Sequence, residues 1–280
     1  MTSADEDYAT GMPLELGDLL ATTFRTIGAN AASHLGLAAA VTIPSAAIGL
    51  VLQIVQHQLT QRALYGGSPE ALLGAGAFGL GSLVVALLSF MVLVWGQGAM
   101  ARIAVDRVRG RSLGARDALM ATLPRYPALL GATFLVALAT GVGSLLCLLP
   151  GIIAYLWLVV AVPAAACEEI GPLDALGRSI DLTEGSRLTI FLAALVVGLA
   201  FMALTFCILS PVMFSAVQSG IDPETLQDPL APIQLFSSAM VTAVQMAWIV
   251  VSSVLNAVIY AKLRGLRDEV DARSVAEVFA

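Results

Sequence analysis

The sequence predicts an all-α polytopic membrane protein, and three features of its 280 residues support that class. Apolar side chains make up 58% of the chain and charged ones only 12%, about half the share found in soluble domains. Long stretches contain no Asp, Glu, Lys or Arg, and the alternating pattern of a transmembrane barrel is absent. With a mean hydropathy of +0.88, the chain is a poor candidate for a soluble enzyme, a disordered protein or a nucleic-acid-binding protein.

Charge-free stretches locate the membrane spans, because a charged side chain at mid-bilayer costs about 2.5 to 3.5 kcal/mol on insertion scales. Five stretches exceed the roughly 20 residues that cross a bilayer, and the one at 126–167 is long enough for two spans. A turn is predicted within it at Leu149, Pro150 and Gly151, since proline ends a helix and glycine accepts turn dihedrals. The pair either crosses fully or forms a shallower hairpin. The six predicted spans are 34–56, 76–98, 127–148, 151–168, 188–210 and 236–261.

Helix shape and packing are expected to vary along these spans. Pro44 and Pro163 lie inside the first and fourth spans and are expected to kink them. Small residues recur at a spacing of four up to Gly141 in the third span and Gly198 in the fifth. Neighbouring helices are expected to approach closely at such positions.

The basic residues predict the orientation of the spans. By the positive-inside rule both termini are cytoplasmic, because 13 of the 14 basic residues fall on one side and only Arg62 on the other. One membrane domain is expected over 14–262, between an acidic disordered tail at 1–13 and a cytoplasmic tail at 263–280. The 13 residues are Arg25, Arg102, Arg107, Arg109, Arg111, Arg116, Arg125, Arg178, Arg187, Lys262, Arg264, Arg267 and Arg273.

Three segments that precede the first, third and fifth spans share a pattern. In each segment, Asp is followed by Leu two residues later, by Thr or Ser five residues after the Asp, and by a bulky apolar residue six residues after it. Each segment has apolar residues on one helical face and polar residues on the other, which predicts an interfacial amphipathic helix. We therefore expect three repeats of an amphipathic helix followed by a transmembrane hairpin, although any helix entering a membrane can have such a face. The instances are Asp18, Leu20, Thr23 and Phe24; Asp117, Leu119, Thr122 and Leu123; and Asp174, Leu176, Ser179 and Ile180.

The third segment belongs to a longer motif. Residues 168–187 read EEIGPLDALGRSIDLTEGSR, downstream of Leu-Pro-Gly-Ile at 149–152 and Pro-Leu-Glu-Leu-Gly-Asp at 13–18. Over nearly the whole chain this resembles the membrane-domain family named after the integral-membrane region of some bacterial glycerophosphoryl diester phosphodiesterases. The resemblance implies a polytopic bacterial inner-membrane protein, in a family where enzyme activity belongs to a separate soluble barrel domain that does not fit in this sequence. The motif residues are Glu168, Ala175, Leu176, Arg178, Ser179, Leu182 and Gly185.

Two interpretations of this motif remain open. A membrane-interface helix alone explains it, because Pro172 suits a first helical turn, Asp174 favours a helix start and Gly185 caps a helix end. The functional hypothesis is that arginines on this side bind lipid phosphates of the cytoplasmic leaflet. Alternatively, Glu168 and Glu169 pair with these arginines. The headgroup candidates are Arg178, Arg187, Arg116 and Arg125.

The sequence offers little for catalysis. The two histidines, His34 and His57, lie at opposite ends of the first span, roughly 30 Å apart and too far to share a metal. Cys147, Cys167 and Cys207 lack metal-type spacing, and neither a G-x-S-x-G nor a P-loop motif occurs. We expect no enzyme activity, no cofactor and no metal site. The expected partners are membrane lipids and either a second copy of the chain or another membrane protein.

Polar side chains inside the spans are candidates for a transport pathway. They are the amides Gln97, Gln245 and Asn256, which can line a path for a solute but more often bond neighbouring helices. The expected function is a non-catalytic accessory or scaffold protein that handles or senses lipid at the cytoplasmic leaflet. The alternative is a transporter or flippase for a lipidic or neutral solute, which a continuous polar cavity at these amides would favour.

Overall fold

A computed structural model of the chain describes residues 14–66, 69–218 and 228–278, with side chains described for 14–62, 78–211, 214, 218 and 228–267. Regular structure in these ranges is entirely helical, which confirms the predicted all-α class. The predicted acidic tail at 1–13 lies outside them. The α-helices are α1 Leu16–Ala29, α2 Ala31–Gly66, α3 Pro69–Val108, α4 Ala115–Thr122, α5 Tyr126–Leu146, α6 Leu148–Leu158, α7 Ala161–Cys167, α8 Pro172–Thr183, α9 Arg187–Gln218 and α10 Pro232–Val278, and a 3₁₀ helix, Leu123–Arg125, joins α4 to α5.

The number and order of the predicted spans are confirmed, and the chain is a multi-pass membrane protein. The helices α2, α3 and α10 continue past the C-terminal ends of the charge-free stretches that predicted them, because a helix can continue past the hydrocarbon with polar side chains. In α10 the helix continues to Val278, so the backbone of the predicted C-terminal tail is helical as far as that residue. The segments long and apolar enough to cross a membrane are Ala31–Arg62, Phe78–Val108, Ala115–Leu146, Leu148–Cys167, Arg187–Pro211 and Pro232–Arg267.

The turn between the third and fourth spans differs from the prediction. It consists of Cys147 alone, which has an extended backbone between α5 and α6. Pro150 lies in the first turn of α6, where its missing N–H breaks no helical hydrogen bond. A Cβ on Gly151 would lie 2.8 Å from the Ser144 nitrogen. The two helices therefore pack too closely there for a larger residue.

Proline interrupts one span and not the other. The fourth span is broken at Val159 and Val160, between α6 and α7. Pro163 explains the break, because it has no N–H to donate to the carbonyl of Val159 four residues earlier. In α2 the helix continues without interruption through Pro44. A Cβ added to Gly141 or Gly198 would have no neighbouring atom of the described residues within 4 Å, so the close approach expected at these two positions is wrong for that part of the chain.

Contacts divide the chain into two units, of which the first contains residues 1–37, 94–198 and 249–280. Its fully buried side chains include Leu19 of α1, Met100 of α3, Leu129 of α5, Ile190 of α9 and Tyr260 of α10. These residues come from five helices, so each helix contributes to one shared core. The first unit also contains the whole of α4 to α8.

The second unit contains residues 38–93 and 199–248. Most of its described side chains are exposed, including the consecutive apolar positions Leu83 and Val84 and the pair Leu87 and Leu88. A contiguous apolar surface of this kind is rare on soluble proteins. Lipid hydrocarbon is a favourable environment for this apolar surface, which agrees with the assignment of the chain to a membrane.

Each of the three predicted amphipathic segments forms a helix with the same pattern of burial. These are α1, α4 and α8, and the shared Asp lies in the first turn of each. The residue after Asp is fully buried in all three, as is the Thr or Ser five residues after Asp, whereas the apolar residue at six is exposed. The buried positions are Leu19, Ala118 and Ala175, then Thr23, Thr122 and Ser179; the exposed ones are Phe24, Leu123 and Ile180.

Candidate functional site: the Glu168 cluster

The polar contacts between helices of the first unit concentrate around Glu168, which immediately follows α7. Its backbone N–H closes the last turn of α7 by donating to the Ala164 carbonyl at 2.7 Å. Its own backbone is extended, which directs the chain away from the helix toward α8. The carboxylate is 15% exposed.

Three side chains from two other helices surround this carboxylate. Tyr260 donates its hydroxyl to Oε1 of Glu168 at 2.6 Å. Arg264 lies one turn further along α10, with Nη1 3.5 Å from the same oxygen and 2.9 Å from the Tyr260 hydroxyl oxygen, to which it donates. From α8, Nε of Arg178 lies 3.5 Å from Oε2. We call Glu168, Arg178, Tyr260 and Arg264 the Glu168 cluster.

Arg125 joins the start of α5 to the same link. It donates Nη1 to the Glu168 carbonyl at 2.6 Å, and Nη2 pairs with the carboxylate of Glu169. Arg125 therefore pairs with Glu169 and Arg178 with Glu168. For these two arginines the structure confirms the alternative that Glu168 and Glu169 pair with nearby arginines. Three arginines thus contact two glutamates here.

The energetics of this arrangement favour a structural role. A largely buried carboxylate is stable only where charges and hydrogen bonds replace its water. Glu168 has two guanidinium groups and a phenol as replacements. Truncation of any one partner would leave the others imperfectly satisfied, so the cluster fixes α8 and α10 against the end of α7.

Arg187 lies elsewhere than the other headgroup candidates, at the start of α9. Its guanidinium carbon is 5.2 Å from the ring centroid of Trp157, a cation–π geometry. The hydroxyl of Ser179 donates to the Trp157 carbonyl at 2.8 Å. Since α6 ends at Leu158, that carbonyl is near the helix terminus, and a motif serine supplies a hydrogen bond to it. Gly185, with φ of +81°, lies in the link between α8 and α9, as expected of a helix C-terminal cap.

The N-terminal amphipathic helix is attached to the last span by one ion pair. Lys262 of α10 pairs with Asp18 of α1. The hydrogen bond from Lys262 holds the pKa of Asp18 below its ordinary value of 3.8, and the lysine charge acts in the same direction against burial. Because 58% of the Asp18 side chain is exposed, solvent screens this pair.

The remaining predicted site residues are dispersed. Arg116 is exposed on α4 and pairs with no carboxylate among the described side chains. Gln97 and Asn256 belong to the first unit, and Gln245 belongs to the second. The Oδ1 atom of Asn256 is buried and has no hydrogen-bond partner among the described residues.

The sequence did not single out Tyr260 and Arg264 as members of a site. Tyr260 is the penultimate residue of a charge-free stretch, and Glu168 is the first charge after another. Both positions therefore predict the same depth at one membrane boundary. Hydropathy does not predict which spans are neighbours within the plane of the membrane.

The described part of the second unit contains cavities of two kinds, one mainly apolar and one polar. One of about 410 Å³ lies between α9 and α10 and is lined mainly by apolar side chains, with Gln245 on its wall and Phe201 packed edge-on against Trp248 at 5.2 Å. The other, of about 380 Å³, has a polar lining that includes Gln53, His57 and Gln234. Neither lining includes Gln97 or Asn256.

Nothing in the described part of the chain assembles a metal centre. No three His, Cys, Asp or Glu side chains in it are close enough to hold an ion. His34 is fully buried, and neither ring nitrogen has a hydrogen-bond partner among the described residues. The chain matches no family model, no curated protein and no solved structure.

Proposed function

We propose that this chain is a non-catalytic accessory or scaffold protein of a bacterial inner membrane, which binds anionic lipid at the cytoplasmic leaflet. Both termini are cytoplasmic in this proposal, so the basic side of the protein faces that leaflet. We also propose that the chain belongs to the family it resembles, the membrane domains of some glycerophosphoryl diester phosphodiesterases. Its membrane partners are lipids together with a second copy or another membrane protein.

The surface of α4 carries this proposal. Arg116, Met120 and Leu123 are all exposed and lie three or four residues apart, so they share one helical face. Ala118 and Thr122 on the opposite face are fully buried. A helix with exposed apolar residues beside exposed arginine suits the boundary between acyl chains and anionic headgroups.

Further arginines extend this surface into the last turn of α3 and the link before α4. Arg107, Arg109 and Arg111 are exposed and, like Arg116, pair with no carboxylate among the described side chains. By contrast, Arg125 and Arg178 already pair with Glu169 and Glu168. The four arginines without such partners, which we call the arginine surface, are therefore the stronger headgroup candidates, and lipid binding by Arg125, Arg178 and Arg187 stays a prediction.

We also infer that α1, α4 and α8 begin three repeats of one structural unit. The equivalent burial of the residue after Asp and of the Thr or Ser, and the equivalent exposure of the apolar residue at six, support this inference. On each helix the exposed apolar residue, Phe24, Leu123 or Ile180, is available to insert among lipid chains. Three such insertions around one protein would anchor its basic side at the membrane boundary.

The test is lipid retention measured by native mass spectrometry after release from anionic vesicles in mild detergent. The variant R107Q/R109Q/R111Q/R116Q should retain at least tenfold less phosphatidylglycerol than the unmodified protein, because each basic residue near an anionic surface contributes about 1 kcal/mol. R62Q, which neutralises the one basic residue on the opposite side, is the control and should retain lipid normally. Equal retention by the fourfold variant and the unmodified protein would contradict the proposal.

A transporter or flippase for a lipidic or neutral solute is the second candidate. The observation that favours it is the cavity of about 410 Å³ that places Gln245 on an otherwise mainly apolar wall. An amide there could bond a polar group carried by a lipidic solute. Lipid scrambling in proteoliposomes, abolished by Gln245→Leu and retained by Gln97→Leu, would favour this candidate over the accessory role.

A further inference from the structure

The end of the helical hairpin formed by α5 to α7 is entirely apolar and exposed. Four leucines and one cysteine, Leu145, Leu146, Cys147, Leu148 and Leu149, form this apolar tip. The leucines are 66 to 88% exposed, and Cys147 is exposed as well. No other described side chain covers them to any large extent, so the solvent around the tip must itself be compatible with leucine.

The length of the hairpin limits how far the tip can reach. The 21 residues of α5 extend about 31 Å from Arg125, whose ion pair with Glu169 marks the base of the hairpin. The returning leg, Leu148–Cys167, has 20 residues and extends about 30 Å at most. The hydrocarbon core is also about 30 Å thick, and a typical tilt of roughly 20° shortens the reach further. The tip therefore reaches no farther than the far edge of the hydrocarbon.

The composition of the tip agrees with this depth. Between Thr140 and Tyr155 the only hydrogen-bonding side chains are Ser144 and the weakly polar Cys147. The first span differs, because it continues through Gln56, His57 and Gln58 to Arg62. A turn that emerged into water would be expected to have polar residues of that kind.

The turn at the tip is short, which limits the number of backbone N–H and C=O groups without a partner. The turn is one residue long, and the Cys147 N–H donates to the Gly143 carbonyl at 3.1 Å. Pro150, in the first turn of α6, has no N–H that would need a partner. A one-residue turn thus leaves fewer backbone groups without partners than a longer loop would, which favours a turn among lipid chains.

We propose that this hairpin does not emerge from the membrane, and that its apolar tip is covered by acyl chains of the leaflet opposite the Glu168 cluster. The occupant is lipid hydrocarbon, because the tip offers no charge and, apart from the weakly polar Cys147 thiol, no hydrogen-bonding side chain to a protein partner or a headgroup. This inference is independent of lipid binding by the arginine surface.

Native Cys147 allows a direct test. A chain with Cys167→Ala and Cys207→Ala is reconstituted in phosphatidylethanolamine and phosphatidylglycerol vesicles, with a charged maleimide on both sides of the membrane. The control has Cys147→Ala and Asp228→Cys, with its thiol in the segment before α10, which the predicted topology assigns to the same side of the membrane as the tip. A nitroxide attached at Cys147 gives a second measurement, the collision rates with oxygen and with a water-soluble nickel chelate.

We expect Cys147 to react at least tenfold more slowly than the control thiol in vesicles and equally fast in sodium dodecyl sulfate. The nitroxide should collide frequently with oxygen and rarely with the nickel chelate. Reaction in vesicles at the rate of the control would show that the tip emerges into water and would overturn the proposal. A nitroxide inaccessible to both oxygen and nickel would also overturn it, because the tip would then be covered by protein.

Discussion

At the scale of single residues, the first unit concentrates its long-range polar contacts on Glu168. One carboxylate joins α8 and α10 through Arg178, Tyr260 and Arg264, whose hydrogen-bonding atoms lie 2.6 to 3.5 Å away. Its backbone carbonyl adds Arg125 at the start of α5. Residues from three regions of the sequence therefore contact Glu168 at the end of the fourth span, two regions through its side chain and Arg125 through its backbone carbonyl.

The first prediction concerns that side chain. Glu168→Gln should lower the free energy of unfolding by about 1 to 3 kcal/mol, because Arg178 and Arg264 lose the charge that compensates theirs. This loss of stability is smaller than the loss expected for a fully buried ion pair, because both arginines keep some contact with water. Thermal unfolding in detergent, followed by fluorescence-detected size exclusion, measures the difference.

The adjacent residue provides the control for this prediction. Glu169→Gln removes an equal charge from a side chain that is 87% exposed, and should change stability by less than about 1 kcal/mol. If both variants unfolded at the same temperature as the unmodified protein, Glu168 would not have the structural role assigned to it.

The second prediction concerns the pH dependence of the Asp18–Lys262 pair. Because Lys262 lowers the pKa of Asp18 in the folded protein, the pair contributes its stability in full above the ordinary value of 3.8 and loses it as the pH falls through the lowered pKa. Asp18→Asn should therefore cost up to about 1 kcal/mol at pH 7 and progressively less below pH 4. Unfolding temperatures of both proteins between pH 3 and 7 test this. A difference that grew as the pH fell would contradict it.

Residue patterns predicted part of this site. The pairing of Glu168 and Glu169 with nearby arginines was one of the sequence-based alternatives, because both residues begin a polar segment that contains Arg178 and Arg187. The sequence could not predict the contacts of Tyr260 and Arg264 with Glu168, since they are 92 and 96 positions away from it and no periodicity connects α7 to α10. The Asp18 pair with Lys262 spans 244 positions and was equally inaccessible.

At the scale of elements, sequence patterns located helices better than turns. Charge-free stretches predicted six spans, and the amphipathic pattern located α1, α4 and α8. The turn at 149–151 was misplaced, because Pro150 and Gly151 suit a first helical turn and a close helix contact as well as they suit a bend. Local propensity could not distinguish these uses.

The close contact in the hairpin gives the third prediction. Gly151→Ala should destabilise the protein by about 1 to 3 kcal/mol, because the new Cβ would lie 2.8 Å from the backbone nitrogen of Ser144 and the two helices must separate. Gly141→Ala is the matched control in the same hairpin, since nothing lies within 4 Å of its Cβ position. It should be neutral or slightly stabilising, because alanine favours helix over glycine. Equal unfolding temperatures for the two variants would refute the close packing.

At the scale of the whole molecule, the distribution of charge is the feature on which the proposed function depends. Thirteen of 14 basic residues fall on one side of the predicted spans, and four of them form the exposed arginine surface. The sequence could predict this sidedness because the positive-inside rule needs only a count. It could not predict which arginines pair with carboxylates, since that depends on how α5, α8 and α10 meet in space.

Sidedness of the arginine surface is the most direct test of the proposed lipid contacts. Ser112→Cys, introduced into a chain whose three cysteines are replaced by alanine, places one exposed thiol between Arg111 and Arg116. A membrane-impermeant maleimide should leave this thiol unmodified in intact spheroplasts and modify it in inverted membrane vesicles. Modification in intact spheroplasts would place the arginine surface outside the cell and contradict lipid binding at the cytoplasmic leaflet.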